Sequence, residues 1–297
     1  MARQRCWRHG WVLDLDIKAF FDSIDWSLLM RAVRKHTDSP WVLMYIERWL
    51  KAPAQMADGS LIVRERGTPQ GGVISPILAN LFLHYAFDMW MTRNHPGIPF
   101  ERYADDAICH CTSAAEASAL RVSLEERFAE CGLTLHPEKT KIVYCKDDDR
   151  HGTYPDQKFD FLGYTFRPRL SRRWQGTFGV LFSPAASDTA LKEIRRTVRS
   201  WMLHERSDKT LDDLARMFNA NIRGWINYYG RYYKSALYPT LRHIDRILAR
   251  WAHRKFKSLR RHRRRTRQWL ERIARRQPRL FAHWGLLQGH GRTMGAG

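Results

Sequence analysis

Phe100-Glu101-Arg102-Tyr103-Ala104-Asp105-Asp106-Ala107-Ile108-Cys109-His110-Cys111 is the stretch whose reading decides the fold. Two adjacent acids lie between short runs of strand character, which predicts a β-hairpin with Asp105 and Asp106 at its tip. Adjacent carboxylates repel, so the pair is costly unless a cation neutralises it. A hard divalent ion with oxygen ligands meets that need, and Mg²⁺ is the usual choice in phosphate chemistry. A lone Asp-Asp is far more often an ordinary surface turn. The reading therefore depends on a second acidic site in a similar setting.

That site lies upstream. Trp11-Val12-Leu13-Asp14-Leu15-Asp16-Ile17 alternates apolar and acidic residues and predicts a strand that ends at Asp16. Lys18, Phe20, Phe21 and Asp22 follow in a turn, and Asp25 caps a helix running to about His36. Brought together in one sheet, Asp16, Asp105 and Asp106 form a cage of three carboxylates. Such a cage suits two Mg²⁺ ions about 3.5–4 Å apart, which activate a 3′ hydroxyl and stabilise a leaving pyrophosphate. Asp14 and Asp22 read as structural.

Between the two acid sites, a helix follows Pro40, and Leu61-Ile62-Val63 predicts a short strand. Arg66-Gly67-Thr68-Pro69-Gln70-Gly71-Gly72 is a loop. Its glycines allow close approach to a nucleotide or template. From Pro76 to about Asn94 the pattern is an apolar helix with little polar face, which implies burial. Ser113 and Glu116 have capping-box spacing and start a helix that Gly132 ends. Leu133-Thr134-Leu135 and Ile142-Val143-Tyr144 predict strands around His136–Lys141, and Phe159 to Phe166 alternates as one strand.

The chain has 297 residues, is 44% hydrophobic and 12% aromatic, and carries a formal charge of +21. Length and composition allow two domains with real cores. Residues 1–160 hold 20 Lys+Arg and 22 Asp+Glu, a net of −2, whereas residues 161–297 hold 31 and 8, a net of +23. That asymmetry points to a polyanionic partner. Basic residues interleaved with Trp and Tyr favour nucleic acid, where bases stack on rings. No apolar run is long enough to span a bilayer. Five cysteines without paired C-x-x-C spacing suggest a reduced, cytosolic protein, and residues 1–9 lack the apolar core of a signal peptide. After about residue 184 helical spacing dominates, as in Leu191, Ile194, Val198 and Trp201. Residues 241–280 contain 16 Lys+Arg against Asp245 and Glu271.

The motifs resemble a known family. Asp16 to Asp25 resembles the first palm motif of reverse transcriptases, and Arg66 to Asn80 resembles the second. Tyr103-Ala104-Asp105-Asp106 is similar to the polymerase signature, while Gly132 to Lys141 and Phe161 to Phe166 resemble the fourth and fifth motifs. The wording is similar to bacterial group II intron-encoded proteins. Gly224-Trp-Ile-Asn-Tyr-Tyr-Gly230 and Leu280-Phe-Ala-His-Trp284 resemble their maturase (X) domain, which doubles as the polymerase thumb.

The resemblance implies an α+β fold. A palm over residues 1–183, with an antiparallel sheet and packed helices, is followed by an all-helical, strongly basic maturase/thumb domain over 184–297. It implies an RNA-directed DNA polymerase with maturase activity in splicing intron RNA. Its partners would be group II intron RNA, a DNA primer or target, and dNTPs, without a membrane, in the bacterial cytosol near the nucleoid. By the same resemblance Asp16, Asp105 and Asp106 are catalytic and bind Mg²⁺, with the Ile17 carbonyl as a further ligand. Phe21 lies under the sugar and excludes a 2′-hydroxyl, with Phe20 the competing assignment. Gln70 and Gly71 meet the incoming nucleotide. Lys139 meets the triphosphate, as a phosphate contact or as a proton donor to pyrophosphate. Phe161, Leu162, Gly163 and Tyr164 form the primer grip. RNA binding falls to Arg260, Arg261, Arg263, Arg264, Arg265, Trp225, Tyr228 and Tyr229; the aromatic residues also read as thumb core and the arginines as a solvated face.

The resembled family has a long N-terminal fingers region and, in some members, a Cys-rich endonuclease. Only 15 residues precede Asp16 here. The chain is therefore expected to be truncated, to bind structured RNA and to extend primers poorly. The rival expectation is an RNA-binding splicing cofactor or a remnant without efficient polymerase activity.

Overall fold

A computed structural model describes residues 1–55, 58–69, 71–172 and 176–288. The chain divides into two compact units, residues 1–162 with 167–182 and residues 163–166 with 183 onward.

The first unit opens with α1 (Ala2–His9), β1 (Trp11–Leu15), α2 (Phe20–Ser23), α3 (Trp26–Val33) and α4 (Pro40–Lys51). The small pair β2 (Ala54–Gln55) and β3 (Leu61–Ile62) precedes α5 (Ser75–Leu83) and α6 (Met89–Asn94), which a π-helical stretch, His84–Asp88, makes continuous. Then come β4 (Phe100–Tyr103), β5 (Asp106–Cys111), α7 (Ala114–Glu130), β6 (Lys141–Tyr144), β7 (Phe159–Phe161), β8 (Tyr164–Arg172) and β9 (Phe178–Ala186). The main sheet has the order β4-β5-β1-β6 and is antiparallel. β1 is therefore a central strand, as its apolar composition favours: Val12 and Leu13 are fully buried. Helices pack on this sheet through Leu29, Leu83, Phe87, Leu124 and Phe128.

Local chemistry accounts for several helix starts. The Asp25 carboxylate accepts from the Leu28 amide at 2.8 Å, which caps α3 and helps hold the carboxyl below its usual range, behind the larger effect of the Ser27 hydroxyl. Ser113 accepts from the Glu116 amide at 3.0 Å, and the Glu116 carboxylate reaches back to the Thr112 amide at 2.5 Å.

Three expectations change. The alternating run from Phe159 to Phe166 is two strands, not one. Leu162 and Gly163 both have positive φ, 51° and 74°, so the chain reverses there. Alternation cannot reveal such a turn, because the period resumes on the other side. Leu133 to Leu135 forms no strand beyond a single bridge, Ile17 to Leu135. The acidic hairpin turns at Ala104-Asp105, because Tyr103 pairs with Asp106 and Asp106 already belongs to β5.

Apart from its share of β8 and β9, the second unit is helical: α8 (Asp188–Ser200), α9 (Leu211–Tyr229), α10 (Tyr238–Lys255), α11 (Arg263–Arg276) and α12 (Trp284–Gln288). Val198, Leu214, Ile222, Ile244, Leu248 and Trp251 fill its core. Thr210 and Asp213 form a reciprocal capping box at the start of α9. The closing segment is latched by polar bonds. Asp245 accepts from Trp284 Nε1 and pairs with His283 Nε2, both at 2.8 Å, and Asn219 donates to the Leu280 carbonyl at 2.8 Å. Among the described residues no helix is long and apolar enough to cross a membrane.

Candidate active site

The antiparallel register of β1 and β5 sets the site. Trp11 pairs with Cys111 and Leu15 with Ala107, so the next step of the same register sets Asp16 across from Asp106. Ala104 occupies the left-handed region at φ 53°, which a non-glycine residue enters only at a cost of about 1–3 kcal/mol. That strained turn presents Asp105 beside Asp106.

Asp16 lies one residue past the end of β1. Its carbonyl accepts from the His136 amide at 2.7 Å, and the Lys18 amide donates to the Thr134 carbonyl at 2.9 Å. These two bonds make the Ile17–Leu135 bridge, and neither uses the Ile17 carbonyl. The Asp16 side chain meets Lys139, with Nζ 3.4 Å from Oδ2.

The acids strain one another electrostatically. Burial, then the charges of Asp105 and Asp16, raise the Asp106 carboxyl above its usual range. Asp14, on the same face two residues before Asp16, is raised to about 8 by burial first and then by Asp106, Asp16 and Asp160. From the sequence Asp14 reads as structural, and the structure sets it beside the acidic site as a carboxyl raised to about 8. Its place on the strand two residues from Asp16 was the available signal. Among the described residues no three His, Cys, Asp or Glu side chains converge closely enough to hold a metal ion. The donor set nevertheless fits a hard cation: it consists of carboxylate oxygens whose charges oppose one another, flanked by a backbone carbonyl.

The turn after Asp16 separates two neighbouring rings. Phe20 is buried in the core, whereas Phe21 is half-buried and packs against it at 5.4 Å between centroids. The glycine-rich loop is fastened to this turn. The Thr68 amide donates to the Phe21 carbonyl and the Gly67 amide to the Ile24 carbonyl, both at 2.7 Å. Gly67 has φ 82°, and a Cβ there would lie 2.7 Å from the Phe21 carbonyl oxygen. The close approach at Gly67 is thus to the protein's own backbone. Gly71 is exposed, with open space where a side chain would project. Gln70 lies outside the described residues.

The remaining predicted residues are distributed over both units. Phe161 is buried in the first unit, and the division of the chain falls between Leu162 and Gly163. Within the second unit, a Cβ on Gly163 would come 3.1 Å from the Tyr229 hydroxyl. The Tyr164 hydroxyl donates to the Tyr228 carbonyl and its ring is surrounded by Tyr228, Tyr229 and Tyr232. Burial, then these tyrosines, push the Tyr164 phenol up to about 12. Trp225 is half-buried and stacks 5.7 Å from Trp201, which stacks 4.2 Å from Phe218. Trp225 and Tyr229 therefore pack against the second core, and Tyr228 is half exposed.

Arg263, Arg264 and Arg265 occupy the first turn of α11, just after Arg260 and Arg261. Positive side chains there oppose the helix dipole, an arrangement that an anion relieves. Arg261, Arg263, Arg264 and Arg265, with Arg272 and Arg275, line an open cleft of about 1010 Å³. A larger groove of about 1440 Å³, bordered by Arg199, Arg242, Arg246, Arg250 and Arg267, adjoins α10 and α11.

A strand-end acid opposite an acidic hairpin, with a glycine-rich loop fastened beside them, defines a nucleotidyl-polymerase palm. Residues 2–166 match the profile of the family described as Reverse transcriptase (RNA-dependent DNA polymerase), and the chain belongs to that family. Residues 191–269 match the Group II intron, maturase-specific domain, which makes it a reverse transcriptase/maturase of the group II intron kind. The protein YkfC of Escherichia coli K12 is 27% identical over 197 residues, which cover 56% of this chain and 49% of YkfC. The group II intron-encoded protein LtrA of Lactococcus lactis is 35% identical over 74 residues, 25% of this chain and 12% of LtrA. The chain thus spans half or less of the length of these relatives. Among solved structures, telomerase from Candida albicans aligns over 96% of this chain and 50% of its own, at 11% identity and a TM-score of 0.45.

Proposed function

We propose that this chain polymerises DNA on an RNA template by two-metal nucleotidyl transfer, and that it binds the RNA of its own group II intron and assists its splicing. The observation that carries the reading is the β1–β5 register, which sets Asp16 across from the Asp105-Asp106 turn. Two Mg²⁺ ions held there would activate the primer 3′ hydroxyl and stabilise the leaving pyrophosphate. Asp16, Asp105 and Asp106 supply the carboxylates, and the Ile17 carbonyl is available beside them. Phe21 faces the deoxyribose of the incoming dNTP, since Phe20 is committed to the core. Gln70 and Gly71 meet the nucleotide and the templating base pair. Lys139, exposed and already drawn to Asp16, neutralises triphosphate charge and is placed to protonate pyrophosphate. Phe161 to Tyr164 hold the primer end. Residues 1–183 serve as the palm and 184–297 as the maturase thumb, where the arginines of α11 and the half-exposed Tyr228 contact intron RNA.

Primer extension on an RNA template tests this. The unaltered chain should extend a DNA primer in Mg²⁺ detectably, though poorly, and Asp105→Asn should abolish that extension. Intact RNA binding without Mg²⁺-dependent extension would overturn the polymerase reading in favour of a splicing cofactor.

A further inference from the structure

Away from the acidic edge, α1 covers a cluster that nucleotidyl transfer does not use. Cys6 and Cys145 are both fully buried. Their backbones are drawn together by one guanidinium: Arg150 Nη1 donates to the Cys6 carbonyl and to the Cys145 carbonyl, each at 3.0 Å, and Nη2 donates to the Trp7 carbonyl. The Cys6 sulfur lies 4.0 Å from His110 Nδ1, and the opposite nitrogen, Nε2, lies 2.5 Å from Glu101 Oε2. Glu101 is itself paired with Arg5 at 3.0 Å. Thiol, imidazole and carboxylate thus stand in a relay, the arrangement that favours a thiolate.

The remaining groups around it agree. The hydrogen bond with Cys145, and then that with His110, outweigh burial and hold the Cys6 thiol below its ordinary range. Burial alone would lower His110, but its bonds to Cys6 and Glu101 carry it upward. His9, 6.2 Å from the His110 ring, is lowered by burial and so adds no positive charge near neutral pH. Burial raises the other four thiols, those of Cys109, Cys111, Cys131 and Cys145, so Cys6 is the nucleophile and Cys145 keeps its proton until the second step.

We propose that Cys6 and Cys145 are an oxidation site, in which a peroxide converts Cys6 to a sulfenic acid and Cys145 resolves it to a disulfide that ties α1 to the end of β6. The Cys6 sulfur attacks one peroxide oxygen and breaks the O–O bond. The hydroxide released takes the His110 proton and leaves as water. Cys6 is oxidised by two electrons as the peroxide is reduced. The Cys145 sulfur then attacks the Cys6 sulfur and expels hydroxide, which leaves as water with the Cys145 thiol proton. Access comes from α1 itself. Its first turn has no side-chain cap and no acid, so a peroxide reaches Cys6 when α1 frays from that end against the hold of Arg5 and Arg150.

The test treats the full-length chain with hydrogen peroxide and maps its cysteines by mass spectrometry. A Cys6–Cys145 disulfide, about 2 Da lighter than the dithiol through loss of the two thiol hydrogens, should form before Cys109, Cys111 or Cys131 reacts. Cys145→Ser should trap Cys6 as a sulfenic acid that dimedone labels. Glu101→Gln, a partly exposed position, should slow oxidation about tenfold by weakening the imidazolium. Oxidation of the other three cysteines at the same rate, or a folded chain whose Cys6 stays unlabelled and unlinked, would overturn the proposal.

Discussion

The two units solve opposite electrostatic problems. The first gathers acids at one end of a sheet within a nearly neutral fold, where burial and neighbouring carboxylates raise Asp14 and Asp106. The second spreads positive charge over helices whose cores are ordinary, and it even sets three arginines in a first turn where the helix dipole disfavours them. A few acids held to a fixed register suit chemistry at one atom. Many cations on a broad face suit a polyanion whose phosphates repeat. We read the difference as a proposed division between catalysis and RNA holding.

The largest expected effect concerns packing. Phe20→Ala should cost about 3–5 kcal/mol of stability, because the ring is buried in the first core. Phe21→Ala should cost far less. Chemical denaturation of the two variants compares them directly, and equal losses would erase the distinction between the core ring and the half-buried ring proposed to face the sugar.

The next effect belongs to the second unit. Changing Arg261, Arg263, Arg264 and Arg265 to Gln should weaken RNA binding roughly a hundredfold and reduce the salt slope by about three. Binding titrations at several salt concentrations measure both. An unchanged slope would show that this face does not meet RNA.

A smaller effect tests the acidic edge without activity. Folded Asp14 keeps its proton up to about pH 8, whereas its ordinary value is 3.8. The folded state therefore binds more protons than the unfolded chain between those values, and stability falls as pH rises through that window. Asp14→Asn removes the ionisable group, so its advantage should grow from pH 5 to pH 8. The gain should be about 2 kcal/mol, since each tenfold difference in proton affinity is worth roughly 1.36 kcal/mol and relaxation of the site returns part of it. Parallel stability curves for the two proteins would contradict the assignment. The smallest effect is in selectivity: Phe21→Ala should relax discrimination against rGTP about tenfold, measured against dGTP on the same template.

Much of the first unit was legible because short motifs carry their own geometry. Alternation ending at Asp16 and the acidic hairpin announced two strands and the edge they share. The reversal at Leu162-Gly163 was hidden, since a two-residue turn leaves the period of two intact on both sides. α1 was also missed: its sequence is basic and offers little apolar stripe, and it is held by bonds such as Arg5 to the Phe100 carbonyl at 2.7 Å, which no local pattern encodes. In the second unit the charge was plain and its arrangement was not. Helical spacing gave the elements, but the run of arginines showed neither that it opens α11 nor that Trp225 turns to the core.

The central claim is that chemistry and RNA holding reside in different units, and Asp16→Asn tests it most directly. RNA affinity and primer extension should be measured on one preparation of that variant beside the unaltered chain. RNA affinity should stay within about twofold while extension falls at least about a hundredfold. Retained extension, or a folded variant that loses RNA binding together with extension, would contradict it.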